Sequence, residues 1–366
     1  MPRGSGAAPP RIRPGLPAGD ACCGGPALLP RHAGRRPLLL CAALASPLRA
    51  GTAEASGSYA PLPRPLELRQ VPGSEVYYTL GHPGVPAADN MGHTSNAGFV
   101  VTEEGVIVFD ALGTPSLGWA LLQKIREVTP RPVRYVVISH YHADHIYGLQ
   151  AFRDHTDAVV VAQRKGLDYT AAGSLDDEAA EERLAQRRQA LAPWVDGETR
   201  IVLPGFAFQL AAEIRLGGKR LQLLYAGPAH SMSDTMMLVQ PDGVLFAGDI
   251  VQNGRIPFMA SAVVNSRNWL RGLDQVASLA PRFTIPGHGQ PSADPEAAIA
   301  FTRDYILHLR RAMGRAVAEW QDFDTAYAGT DWSGYDHMPA FAASNRGNAY
   351  RVFLEMEQEA FGQRQG

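Results

Sequence analysis

Between residues 71 and 290 the apolar positions come in short runs separated by polar punctuation, and the period of the runs changes along the chain. "SEVYYTLG" (Ser74–Gly81) reads as a strand with a glycine stop, and "NAGFVVTEEGVIVFDA" (Asn96–Ala111) as two β-rich runs joined at Glu103–Gly105, a hairpin. Over Pro115–Val128 the period becomes helical. Leu117, Leu121, Leu122 and Ile125 share one face, and Thr114 is placed to cap the start. "VRYVVIS" (Val133–Ser139) and "AVVVA" (Ala158–Ala162) are continuous apolar runs, as expected of strands covered on both faces; a short helix starts from Gly148 between them. Leu175–Leu191 is helical and highly charged, with Glu and Arg paired at helical spacing. It reads as a solvated, inserted helix without chemistry. Strands follow near Phe206–Leu210, Lys219–Ala226, Thr235–Gln240 and Val244–Ala247, Asp242-Gly243 turning the last two. Then come a helix over Arg267–Leu279, a strand ending in "RFTIPG", a long helix over Pro295–Trp320 and a final helix around Tyr350–Phe361. Strands and helices alternate in both halves, 71–191 and 198 onward, which predicts an α/β protein with a two-layered sheet core and helices outside.

The first fifty residues break this pattern. Met1–Leu29 is rich in Gly, Pro, Ala and Arg without an apolar period and is expected to be disordered. Arg31, Arg35 and Arg36 precede an apolar run, Leu38–Leu44, and small residues follow at Gly51–Gly57. A basic stretch, a short apolar core and a small-residue exit make an export signal, and "RRPLLL" carries the adjacent arginines of a twin-arginine signal. Residues 1–53 are therefore expected to be a leader and export signal, and the mature protein to be periplasmic. The apolar run is too short for a permanent span, and no longer one follows, so no membrane span is expected after signal removal. All the cysteines, Cys22, Cys23 and Cys41, lie in this leader, so the body is expected to hold no disulfide and no thiolate metal ligand. The formal net charge of −2 argues against nucleic acid and favours a small-molecule substrate; oligomeric state is not encoded in any pattern here.

Chemistry concentrates in "SHYHADHIYG" (Ser139–Gly148), which packs His140, His142, Asp144 and His145 into six residues at the C-terminal end of a buried strand. Imidazole nitrogen and carboxylate oxygen suit zinc, and also manganese or iron. Three further polar residues follow β-rich segments: His230 in "GPAHSMSDT", Asp249 in "LFAGDI" and His288 in "IPGHG". All are expected to emerge at one edge of the sheets, with Gly248, Gly287 and Gly289 letting the backbone come close to an ion or ligand.

The order H-x-H-x-D-H, then H, D and H, resembles the metallo-β-lactamase superfamily over about Val71–His288. The resemblance implies an αβ/βα four-layer sandwich, a domain over 71–290, and a C-terminal helical extension over 291–366 packing on it as part of a single domain. It implies that His140, His142 and His230 hold a first metal, that Asp144, His145 and His288 hold a second, and that Asp249 bridges them. Two zinc ions are the implied cofactor, manganese or iron being alternatives. Divalent ions sharing a water lower its pKa toward ~7, so a bridging hydroxide can attack an electrophilic carbon. Asp144 and Asp249 are the carboxylates placed in that chemistry. The absence of cysteine and the presence of Asp249 look more like glyoxalase II, lactonases and related hydrolases than the commonest dizinc lactamases. The hairpin, "PGHG", the long C-terminal helix and "NRGNAYRVFLEME" resemble the SoxH-like, quinoprotein-relay group. The expected function is hydrolysis of a small ester, thioester, lactone or amide. The alternatives are a true metallo-β-lactamase and a non-hydrolytic metal-binding or redox-relay accessory protein.

Further residues are candidates for supporting roles. Asp110 ends a strand and is placed to support the metal loop from behind. His93, in "NMGHTSNAG", either lines the pocket or sits in a surface loop. Tyr141 flanks the ligands and either donates to an oxyanion or packs on the loop. Arg346, from the tail, is a candidate for a substrate carboxylate because arginine suits bidentate contact.

Overall fold

The computed structural model describes residues 12–14, 59–170 and 180–364. The expected export signal and all the cysteines lie outside them. Of the leader, Ile12–Pro14 is described as strand β1, paired with Ala212–Ile214, where the composition led us to expect no structure. Ile12 is the reason: it packs against the apolar cluster between the sheets.

In chain order, β2 (Arg69–Gln70), β3 (Val76–Thr79), β4 (Ala97–Thr102), β5 (Gly105–Phe109), β6 (Val133–Val137), β7 (Val159–Gln163) and β8 (Phe206–Phe208) form one sheet in that spatial order. The strands β9 (Ala211–Leu216), β10 (Lys219–Tyr225), β11 (Thr235–Gln240), β12 (Val244–Asn253) and β13 (Phe283–Gly289) form the other, with β1 on its edge. The helices are α1 (Pro115–Val128), α2 (Ala143–Ile146), α3 (Leu149–His155), α4 (Ala180–Ala190), α5 (Ser266–Ser278), α6 (Pro295–Ala318), α7 (Phe323–Ala328) and α8 (Phe341–Arg364).

The two sheets stack face to face, and period-2 alternation decides which side chain goes where. Ile107 and Phe109 of β5 point into the space between the sheets, against Leu221, Met237 and Phe246 of the second sheet. Val106 and Val108 point the other way, onto Leu117, Leu121 and Ile125 of α1. In β11 and β12, Met237, Val239, Val244 and Phe246 face the first sheet, while Met236, Leu238, Leu245 and Ala247 face the helices. Each central strand is covered on both sides, hence the unbroken apolar runs. The result is helix, sheet, sheet, helix: the expected four-layer sandwich. Thr114 caps α1, its Oγ1 accepting from the Leu117 amide at 3.2 Å.

The C-terminal helices do not form a separate core. Tyr305, Leu309, Val352 and Phe353 of α6 and α8 share one buried cluster with Leu245 and Trp269. Helix α8 starts at Phe341, nine residues before its expected start, because the asparagines within it are satisfied inside the core. Asn345 Oδ1 accepts from the Tyr305 hydroxyl at 2.9 Å, and Asn348 Nδ2 donates to Tyr305 Oη and to the Pro257 carbonyl. No helix among the described residues is long and apolar enough to cross a membrane.

Candidate metal centre

Strand β6 ends at Val137, and the chain turns into α2 with His140 and His142 before the helix and Asp144 and His145 in its first turn. His230 comes from the loop after β10. Asp249 and His288 do not follow their strands, as expected, but lie within β12 and β13. The parallel pairing of these strands slips between Phe246 and Gln252, and this bulge turns the Asp249 side chain out of the ladder. Gly248 takes a left-handed φ of 52° in the slip, and a Cβ there would meet Ser139 Cβ at 2.8 Å. A Cβ on Gly287 would fall on Asp249 Oδ1.

These turns bring the predicted residues together. His140, His142 and His230 form one group of donor atoms; Asp144, His145 and His288 form another; within each, the atoms lie within 4.8 Å of one another. Asp249 sits between the groups. Its Oδ1 is 3.2 Å from His145 Nε2, and its Oδ2 is 3.3 Å from both His230 Nε2 and His288 Nε2. Gln252 Nε2 donates to the same carboxylate at 3.0 Å.

Hydrogen bonds behind the cluster set which nitrogen of each ring carries the lone pair. His145 Nδ1 donates to Asp110 Oδ2 at 2.8 Å. Ser139 Oγ donates to the same oxygen at 2.7 Å and accepts from His140 Nδ1 at 3.0 Å. His230 Nδ1 donates to the Phe258 carbonyl at 3.1 Å, and His288 Nδ1 to the Thr94 carbonyl at 2.6 Å. The Nε2 atoms of His140, His230 and His288 therefore aim inward as acceptors, and His145 Nε2 joins them on release of its second proton, since burial opposes its charge but Asp249, Asp144 and Asp110 outweigh that and raise its pKa well above the ordinary value. His140 Nε2 and His230 Nε2 lie 2.9 and 2.8 Å from His142 Nδ1, so three ring nitrogens converge on one point. His145 Nε2 and Asp249 Oδ1, 3.2 Å apart, are buried and make no well-formed hydrogen bond with each other or with any other group. Lone pairs crowded together away from water are costly unless a cation sits among them. That convergence is what a metal site requires, and the residues fit one.

Burial, with the charge of His145 beside it, holds the His140 pKa well below its ordinary value. Burial brings His230 down to about 3. Both rings are thus neutral at physiological pH, the form that ligates. Burial opposes charge on Asp144 and Asp249, but the surrounding histidines outweigh it and hold both carboxyls below their usual range.

The segment Thr94–Asn96, which the sequence reading passed over, ties the two ligand loops together. Thr94 Oγ1 donates to Asp144 Oδ2 at 3.2 Å, the Ser95 hydroxyl donates to the Asp144 carbonyl, and Asn96 Nδ2 donates to the Pro286 and Gly289 carbonyls on either side of His288. The polar run "HTSN" before a buried strand was its only signal. Asp110 is fully buried where expected, beneath the metal loop, and in a left-handed conformation (φ 61°). Tyr141 is buried, its ring edge-on to His142 with centroids 5.2 Å apart and Arg183 over its face. His93 is half-buried and does not line the cavity; burial, then the charge of His82, push its pKa down to about 4. Arg346 does not reach the site. It lies on the outside of α8, 2.5 Å from Asp324 and over the rings of Phe323 and Tyr327.

Above the cluster opens a cavity of about 360 Å³. Its floor is His142, Asp144, His230, Asp249 and His288. Its walls include Val85 and Pro86, Phe258 and Ser261, Arg255, and Arg183 and Arg187 of α4. The charged helix read as inert thus forms part of the wall.

The chain matches the family described as "Metallo-beta-lactamase superfamily" over residues 91–288, and it belongs to that superfamily. It is 22% identical over 237 residues to a linear primary-alkylsulfatase of Pseudomonas sp. (strain ATCC 19151), covering 56% of this chain and 44% of that protein. It is also 22% identical over 202 residues to the probable metallo-hydrolase YqgX of Bacillus subtilis (strain 168), covering 55% of this chain and 87% of that one. Among solved structures, the inverting sec-alkylsulfatase Pisa1 from Pseudomonas sp. aligns with a TM-score of 0.56 at 16% identity, over 79% of this chain and 50% of that one. A metallo-beta-lactamase family protein of Thermus thermophilus, TTHA1429, aligns with a TM-score of 0.56 at 20% identity, over 78% and 94%. The chain spans about half the length of the alkylsulfatases it matches.

Proposed function

We propose that this chain is a dinuclear zinc hydrolase acting on a small ester, thioester, lactone or amide, exported to the periplasm by the signal in its leader. The observation that carries the reading is the position of Asp249, whose Oδ2 lies 3.3 Å from His230 Nε2 of one ligand group and 3.3 Å from His288 Nε2 of the other, with Oδ1 3.2 Å from His145 Nε2. His140, His142 and His230 would hold one ion, Asp144, His145 and His288 the other, and Asp249 both. Bound there, two divalent ions would supply Lewis-acid activation of water and of the substrate's oxygen.

The protein's own part is orientation and exclusion. Asp110 and Ser139 fix the tautomers of His145 and His140, so those ligands need no rearrangement. Thr94 holds the Asp144 carboxylate, and Gln252 the Asp249 carboxylate, in their working rotamers. The buried floor keeps bulk water from the carboxylates, which strengthens their interaction with any charge developing in the cavity. Two alkylsulfatases among the relatives support an ester bond as the target. Metal analysis of protein taken from its own compartment, followed by a chromogenic panel of carboxylic and sulfate esters, thioesters, lactones and β-lactams, tests the reading. Two zinc ions per chain and turnover of an ester-type substrate are expected. At most one ion after zinc saturation, or no turnover across the panel, would overturn it.

A further inference from the structure

Arg255 is 5% exposed and lines the cavity beside the ligand cluster. Its position is unusual for a buried cation. Its hydrogen-bond neighbour is His288 Nδ1, 2.7 Å from Nη1. That nitrogen carries its proton toward the Thr94 carbonyl, as it must if Nε2 is to ligate, so it offers no lone pair to the guanidinium. Arg255 Nε is buried with no partner, and no carboxylate among the described residues comes within ion-pair distance of the side chain. Burying a guanidinium with unanswered donors is expensive unless something else supplies the acceptors.

The nearest negative charges are Asp144 and Asp249. Both belong to the ligand cluster and are turned toward its histidines, so neither is free to answer the Arg255 donors. Arg183 and Arg187 stand in the same wall, and among the described lining residues no acidic side chain other than Asp144 and Asp249 faces the cavity.

We infer that Arg255 is the anion-binding residue of this site and that the substrate carries an oxyanion, a carboxylate or a sulfate, seated on its guanidinium next to the metal floor. This rests on the hydrolase reading above and narrows it to acidic substrates. Arginine suits the task because its fork presents parallel N–H donors to two oxygens at once.

The test uses the zinc-loaded full chain and needs no turnover. Calorimetry measures binding of butanoate, butane-1-sulfonate and neutral butanamide to wild type, Arg255→Met, Arg255→Lys and Arg346→Met, with zinc content measured for each. Wild type and Arg346→Met are expected to bind one or both anions and not butanamide, and the tighter anion identifies the acid group. Arg255→Met is expected to bind it about ten- to a hundredfold more weakly with zinc unchanged, and Arg255→Lys to fall between. Should Arg255→Met fail to fold, Arg255→Lys alone decides, with a loss of at least about threefold expected. Anion affinity equal to wild type in the variants, or lost only in parallel with zinc, overturns the inference; the second result would make Arg255 a support for His288. A wild type that binds anions but hydrolyses nothing would sink the hydrolase reading and leave this one standing.

Discussion

The floor of the cavity and its walls are built on different principles. Six of the seven ligands are held by a partner behind them: Asp110 through Ser139 for His140, Asp110 directly for His145, main-chain carbonyls for His230 and His288, Thr94 for Asp144 and Gln252 for Asp249. The walls come from α4, the Val85–Pro86 loop and Phe258–Ser261, with Val85 and Phe258 each 44% exposed. The floor is over-determined and the walls are lightly held. Chemistry that must be positioned to fractions of an ångström belongs on the first, and selection among substrates can vary on the second without disturbing it.

If this division holds, damage to the floor should be the most severe. Asp249→Ala should lower kcat by about a thousandfold or more and reduce zinc below two per chain. Near-normal turnover with both ions retained would make Asp249 an incidental carboxylate that holds neither ion. One layer down, Asp110→Ala leaves every ligand in place but removes the acceptor for His145 and Ser139. Zinc affinity, read by competition with a chelator, should fall about ten- to a hundredfold.

Beside the floor, His93 tests whether acid weakens the fold apart from the ligands. Its folded-state pKa of about 4 lies below the ordinary value near 6.5. The unfolded chain therefore takes up the proton more readily. The stability this residue contributes is fully present above pH 6.5 and is lost as pH falls toward 4. With screening of a half-buried ring allowed for, the loss is on the order of 1–2 kcal/mol. Urea midpoints at pH 7.5 and 5.0, at constant zinc, should differ less in His93→Gln than in wild type.

On the wall, Phe258→Ala removes apolar surface while keeping the carbonyl that accepts from His230. KM should rise about three- to tenfold for substrates with an apolar portion, with kcat and zinc unchanged. A drop in kcat instead would show that wall and floor are not separable. Arg346→Met, far from both, should leave activity unchanged and cost under about 1 kcal/mol, since its partner Asp324 is exposed.

The same division governs how far the sequence could be read. Four of the seven ligands fall within His140–His145, where their density is itself the signal, and Asp110 announces itself by ending an apolar strand. The alternation in β5, β11 and β12 encodes two covered faces, so the layered sandwich was legible as well. What periodicity cannot report is the distance between remote elements. The slip beside Gly248 that carries β12 through Asp249 leaves no mark on hydrophobic pattern. The charges of α4 look solvated because its own sequence does not reveal what stands across from Arg183 and Arg187. Arg346 and Arg255 are the same residue type in the sequence. The structure puts one on an outer helix face with an exposed acid, and the other under a wall with its donors unanswered.

The missing Cβ at Gly287 has a consequence on the scale of descent. Because a methyl group there would occupy the place of an Asp249 oxygen, the fate of one position is tied to the other. A Cβ at 287 would also come within 2.7 Å of the Gly248 carbonyl carbon and 2.8 Å of the Asp249 amide nitrogen, so shortening residue 249 would not open the position. The glycine answers to the course of the neighbouring strand as well as to its carboxylate, and a descendant of this sequence carrying a side chain at 287 must have moved the strand that presents residue 249.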